Sequence, residues 1–141
     1  MKNLIQCTCG DRFMPYASLA LRLAAGLIFV MHGWQKLERG TAQTAAFLGF
    51  LGFPAPAVFA VILIAIEIGG GALLILGLYT HWVAKLLALV ALIAFVTVHA
   101  SKGFFVGDGG YEFIVLIFAA VLSLMITGPG RWSLDALLRR K

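Results

Sequence analysis

Two groups of side chains in this sequence could do chemistry. The first is a pair of opposite charges set deep in apolar sequence. Glu67 sits near the middle of AVFAVILIAIEIGGGALLILGL (57–78), and Arg22 lies inside ASLALRLAAGLIFVMHGW (17–34). At about 1.5 Å per residue the first run spans roughly 33 Å, enough to cross a hydrocarbon core of about 30 Å. A charged side chain at that depth is unfavourable by about 2.5–3.5 kcal/mol on insertion scales. Glu67 must therefore face protein or water, and Arg22, about 10 Å inside its own run, is long enough to reach it. An Arg22–Glu67 pair is expected. It would fix helix register or bind a polar group of a substrate, and the sequence leaves both roles open.

The second group gathers where apolar runs end. His32, Trp34 and Lys36 close the first run, His99 and Lys102 close the third, and Glu112 opens the fourth. Histidine exchanges protons near neutral pH, and a carboxylate can orient it. A polar pocket of His32, Lys36, His99 and Glu112 at one membrane face would suit proton-coupled work on a quinone-like ring arriving from the lipid. The plainer alternative is that helix ends carry polar residues as a matter of course. No metal site is expected. No dinucleotide or phosphate-binding glycine motif, nucleophile elbow or haem-attachment motif occurs, and nothing points to covalent catalysis.

The elements that must position these groups follow from composition. The 141 residues are 62% hydrophobic and 12% charged. Soluble domains average about 45–50% and 25%, so this is a membrane protein of one domain. The net charge of +5 comes from bases flanking apolar runs, which marks topology and headgroup contacts, not a nucleic-acid surface. Residues 1–14 form a polar tail with no apolar run long enough for a cleaved signal peptide. Its Cys7-Thr8-Cys9 reads as incidental thiols in preference to a metal or redox pair, since no second ligand pair is near.

Residues 15–128 are expected to form an all-α bundle of four transmembrane helices, at about 15–34, 57–78, 82–99 and 111–127. The segment 41–56 is too short to cross and reads as an interfacial or re-entrant helix, or else as an apolar linker. Residues 129–141 form a short amphipathic tail, with Leu134, Leu137 and Leu138 on one side and Arg139, Arg140 and Lys141 at its end, suited to an anionic membrane surface. Four crossings put both termini on one side, and the excess of Lys and Arg there places them in the cytoplasm. Arg22, Gly26, Phe29, Gly33 and Lys36 share one helical face, so Gly26 and Gly33 should admit a close neighbour. Gly69 and Gly70 should do the same for the second helix.

The runs LRLAAGLIFVMHGWQKL (21–37), IEIGGGALLILGLYTHWVA (66–84) and GDGGYEFIVL (107–116) resemble the DoxX family of small bacterial membrane proteins. The resemblance rests on Arg22, Gly26, His32, Gly33, Lys36, Glu67, Gly69 and Gly70 and extends from about Ser18 to Pro129. It implies a four-helix bundle in the bacterial cytoplasmic membrane and a link to quinone-reactive redox systems and oxidative-stress defence. The extra soluble domain of the larger oxidase-type subunits is not expected here. The expected role is thus a membrane subunit or accessory factor in quinone-linked redox homeostasis. Quinone is the candidate cofactor. Partners are the lipid bilayer, other membrane or redox proteins and further copies of the chain. A non-enzymatic assembly subunit is the alternative, and a small transporter a third.

Overall fold

The computed structural model describes residues 8–139, and these contain helices and no strand. Helix α1 is Thr8–Arg39 and α2 is Thr41–Phe50. Helix α3 runs Pro56–Leu76 and α4 runs Thr80–Lys102. Helix α5 is Glu112–Thr127 and α6 is Leu134–Leu138. Two of these rods are not uniform. A π-helical turn occupies Ile66–Gly70 in α3 and another occupies Phe95–His99 in α4, which then tightens into a 3-10 turn at Ala100–Lys102. Cys7 of the Cys7-Thr8-Cys9 run and the basic Arg140-Lys141 end lie outside the described residues.

Three stretches are long and apolar enough to cross a membrane: Pro15–Arg39, Pro56–Leu76 and Thr80–Lys102. Helix α5 is apolar but shorter, about 24 Å at its 16 residues. Large apolar side chains such as Leu27, Val61, Leu89, Val96, Leu116 and Ile126 point outward around the bundle. A soluble protein rarely exposes so much contiguous apolar surface, whereas acyl chains cover it without penalty.

Helix α1 is longer than expected at both ends. Proline signals a helix start because it lacks a donor, yet α1 runs on in front of Pro15. At its far end the helix passes Gly33 and Trp34 and stops at Gly40, whose φ of 91° is open to glycine at no steric cost. Lys36 is therefore held on the helical face instead of on a loop. Helices α3 and α4 are joined by three residues. Gly77 takes φ 66°, its N–H bonds the Leu74 carbonyl, and the Leu78 N–H bonds that of Leu73. This Schellman pattern satisfies the last carbonyls of α3 and forces α4 to return antiparallel beside it.

The core draws on four helices: Ala25 and Phe29 of α1, Leu74 of α3, Ala84 and Leu87 of α4, and Val121 of α5 among others. Small residues decide how closely the rods approach. A Cβ on Gly26 would lie 2.7 Å from the Gly71 carbonyl oxygen, and one on Gly71 would lie 2.6 Å from that of Gly26. A Cβ on Gly33 would lie 2.9 Å from that of Glu67. Helices α1 and α3 therefore touch backbone to backbone, as small residues permit inside membranes. Gly70 packs against Leu87 of α4. Gly69 faces open space, so it is Gly71, not Gly69, that does the packing expected of the glycine run. With no neighbour to accommodate, the Gly69 position is free for a side chain.

Substitution of these neighbouring glycines should separate the roles. Gly71→Val should lower stability by about 1–3 kcal/mol, the usual range for overpacking. Gly69→Ala should be neutral or stabilising by up to about 1 kcal/mol, since a helical glycine is replaced in open space. Thermal unfolding in mild detergent measures both.

Candidate functional site

The buried acid has a different partner from the one expected. Lys36 Nζ lies 2.7 Å from both Oε1 and Oε2 of Glu67. Arg22 is fully buried but bonds elsewhere. The register of α1 on α3 explains the exchange. Gly33 faces Glu67 and Ile68, and Gly26 faces Gly71 and Ile75, so the two helices run antiparallel and position 22 falls level with residues 75–77. That leaves Arg22 roughly 12–15 Å along α3 from Glu67. Lys36 lies one turn beyond Gly33 and its flexible stem reaches back. The π turn at Ile66–Gly70 adds a residue to the helix and so rotates the following face, a distortion common at functional sites. Glu67 is 5% exposed. With a bidentate partner its charge is compensated, which an apolar site demands.

Lys36 also borders a cavity of about 540 Å³ that Glu67 does not reach. The cavity is a wedge. The Pro56–Ala65 half of α3 leans on α2 and α1, while α4 pairs with α5, so the two helices diverge from the tight Gly77 turn. Ile62, Leu86, Leu89 and Ile93 both line the wedge and are exposed on the flank of the bundle. The opening is thus lateral and apolar. The polar side chains that line it are His32, Lys36, Thr44, Thr97 and His99. An apolar cavity of this size with a few convergent polar groups is the usual form of a small-molecule site.

The polar groups are fixed by the backbone. His32 Nδ1 lies 2.8 Å from the Ile28 carbonyl, and His99 Nδ1 lies 2.8 Å from that of Gly109. A carbonyl oxygen only accepts, so both rings donate from Nδ1, and in the neutral ring Nε2 is left as an acceptor. The His32 ring stacks on Phe113 of α5 at 6.5 Å between centroids. His32, Lys36 and His99 are therefore brought to one cavity, as expected from the sequence. Glu112 is not. Its Oε1 accepts the Val106 N–H at 2.7 Å and steadies the loop between α4 and α5. A carboxylate at the first turn of a helix is well placed to gather loop amides, and this one does so instead of lining the cavity.

At the opposite end of the bundle Arg22 ties three segments. Its guanidinium donates to the carbonyls of Ile75 at 3.3 Å, Arg131 at 3.4 Å and Trp132 at 2.9 Å. Gly77 leaves the space that the guanidinium fills. Ser133 caps α6 by accepting the Ala136 N–H, and Asp135 accepts the N–H groups of Tyr79 and Thr80 at 2.8 and 2.9 Å, capping α4. The Arg131 N–H bonds the Pro15 carbonyl, and the Asp135 N–H bonds that of Gly77. The C-terminal segment is thus strapped across the α3–α4 turn, with Leu137 and Leu138 exposed beside it. The only sequence signals for this strap were Ser133 and Asp135, at the cap and first turn of a short helix. Burial alone would raise the Asp135 carboxyl, but the two backbone N–H bonds and nearby Arg139 outweigh it and hold the group below its usual value.

Fold and site together define a small helical membrane protein with a lateral apolar cavity and a buried ion pair beside it. The chain belongs to the DoxX family, whose model matches residues 17–100. It is 35% identical over 125 residues, 89% of each chain, to a Bacillus subtilis (strain 168) protein named "Putative oxidoreductase CatD". It is 35% identical over 126 residues to inner membrane protein YphA of Escherichia coli (strain K12), covering 86% of this chain and 89% of that one. It is 32% identical over 125 residues to inner membrane protein YqjF of the same organism, covering 87% and 92%. No solved structure matches the chain significantly.

Removing one member of the ion pair should be worse than removing both. Lys36→Met strands a buried carboxylate and should lower stability by about 3 kcal/mol or more, while Lys36→Met with Glu67→Gln should recover most of the loss. Unfolding midpoints of the two variants in detergent decide this. Asp135 has its own pH signature. Its folded value lies below the usual 3.8, so the unfolded chain binds the extra proton and the stabilisation is complete above 3.8. It is lost as pH falls below that value towards the folded one. The stability gap between the native chain and Asp135→Asn should therefore close across that acid window, as read from paired thermal melts.

Proposed function

We propose that this DoxX-family protein binds a lipid-soluble, quinone-type ring in the wedge between α3 and α4. On this reading it acts as a membrane subunit or accessory factor in quinone-linked redox or oxidative-stress homeostasis. The observation that carries the proposal is the lateral apolar cavity with His32, Lys36 and His99 at its polar end. A ring with oxygen substituents can meet the imidazoles while an aliphatic tail leaves through the gap between Ile62 and Leu89. A subunit that served assembly alone would need no such cavity, and the Arg22 strap already supplies the structural bonding. Glu67, paired and 5% exposed, offers no wet path for a transporter.

The setting we propose is the bacterial cytoplasmic membrane, as the names of the two Escherichia coli relatives suggest. Helices α1, α3, α4 and α5 are taken as four crossings, and the positive-inside bias puts both termini in the cytoplasm. The wedge then lies in the outer leaflet. The name of the Bacillus subtilis relative supports an oxidoreductase association, and redox partners in the same membrane are expected to complete any reaction.

Mass spectrometry of protein purified in mild detergent should find a co-purifying quinone. Decylubiquinone should bind with a micromolar dissociation constant by fluorescence titration. Ile93→Trp, which fills the wedge, should weaken binding about tenfold or more while leaving the unfolding midpoint near that of the native chain. Absence of both co-purifying quinone and saturable binding would remove the reading.

A further inference from the structure

The cavity's polar groups share a property that goes beyond a general affinity for rings. Three of the five have spent their proton on a backbone carbonyl. His32 Nδ1 bonds the Ile28 carbonyl and His99 Nδ1 bonds that of Gly109, each at 2.8 Å, and Thr97 Oγ1 donates to the Ile93 carbonyl at 2.7 Å. What each presents besides that bond is a lone pair: Nε2 of each imidazole in its neutral form and the hydroxyl oxygen of Thr97. Lys36 spends two of its three ammonium protons on the Glu67 oxygens, each at 2.7 Å, and keeps one. Thr44 is buried at the cavity wall and can turn either way. The site is therefore rich in acceptors and poor in free donors.

His32 and Thr97 are exposed along the cavity and His99 is half-buried, so a bound ring would be what covers them, and an acceptor covered without a donor is unfavourable. A quinone carbonyl only accepts. The hydroxyl of a reduced ring donates. We infer that the cavity selects the reduced, hydroquinone form of its ligand over the oxidised quinone, with His32, His99 and Thr97 as the specificity-determining acceptors. This rests on the reading of the wedge as a ring-binding site. It adds to that reading the redox state which the site prefers. A site that holds the reduced form more tightly also raises the potential of the bound couple, by about 30 mV for each tenfold of preference in a two-electron couple.

The test compares decylubiquinone with its reduced hydroquinone under anaerobic conditions. Both dissociation constants are measured on the full chain in mild detergent. The hydroquinone should bind about tenfold more tightly or better. Thr97→Val keeps the side-chain shape and removes one acceptor. It should weaken hydroquinone binding severalfold and leave quinone binding unchanged, with an unfolding midpoint close to native. His99→Leu should shrink the preference further. Equal affinity, or tighter binding of the oxidised form, overturns the inference and leaves the ring-binding reading standing. A Thr97→Val variant that weakens both forms equally also overturns it. Saturable binding of neither form removes the ring-binding reading and this inference with it.

Discussion

The contact on which the rest depends is the glycine-to-backbone seam between α1 and α3. Gly26 meets Gly71 and Gly33 meets the Glu67 stem, each too close to admit a Cβ. Inside a membrane there is no hydrophobic gain from pushing two apolar helices together, because acyl chains are as apolar as leucine. Close packing and polar pairing must hold them. The seam supplies the first directly. It supplies the second by fixing a register that sets Lys36 over Glu67 and leaves Arg22 at the far end. Shifting that register by a single helical turn would part the Lys36–Glu67 pair and strand a carboxylate in a site that tolerates none.

From that seam the bundle divides into a closed end and an open one. At the closed end the three-residue turn at Gly77 pins α3 to α4, and the strap from Arg131 to Asp135 crosses the turn on backbone hydrogen bonds organised by Arg22. At the open end α2 draws the first half of α3 away from α4. The wedge is the geometric result of two helices pinned at one end and held to different neighbours at the other. Its polar groups are locked by carbonyls of α1, α4 and the α4–α5 loop, so the cavity is preorganised in the sense that favours binding.

The π turns connect these two themes. One carries Glu67 and the other ends at His99. Each adds a residue to an otherwise regular rod, which turns the side chains beyond it and loosens the local carbonyl bonding. In α4 the loosening is followed by a 3-10 turn, and His99 then finds its carbonyl partner ten residues away at Gly109. The loop that supplies Gly109 is steadied by Glu112. A residue expected in the pocket thus acts on it from behind, through the loop that orients His99.

Much of this was legible in the residues. Apolar length and the 12% charged content fixed a helical membrane protein, and periodicity along α1 put Gly26, Gly33 and Lys36 on one face. The need of Glu67 for a basic partner followed from the penalty of a bare charge in hydrocarbon, and His32, Lys36 and His99 marked the right end of the bundle. Local pattern could not choose between Arg22 and Lys36, because depth counted along each helix says nothing of how far one has slid along the other. That slide was decided by which glycines met, Gly71 in place of Gly69, and by a π turn that no composition signals. Nor could it tell that Glu112 serves the loop, since a side chain three bonds long can turn to either neighbour. Composition and periodicity act within a segment and so determine what it must bury. Register, pairing and the wedge arise between segments, where only the packed structure decides.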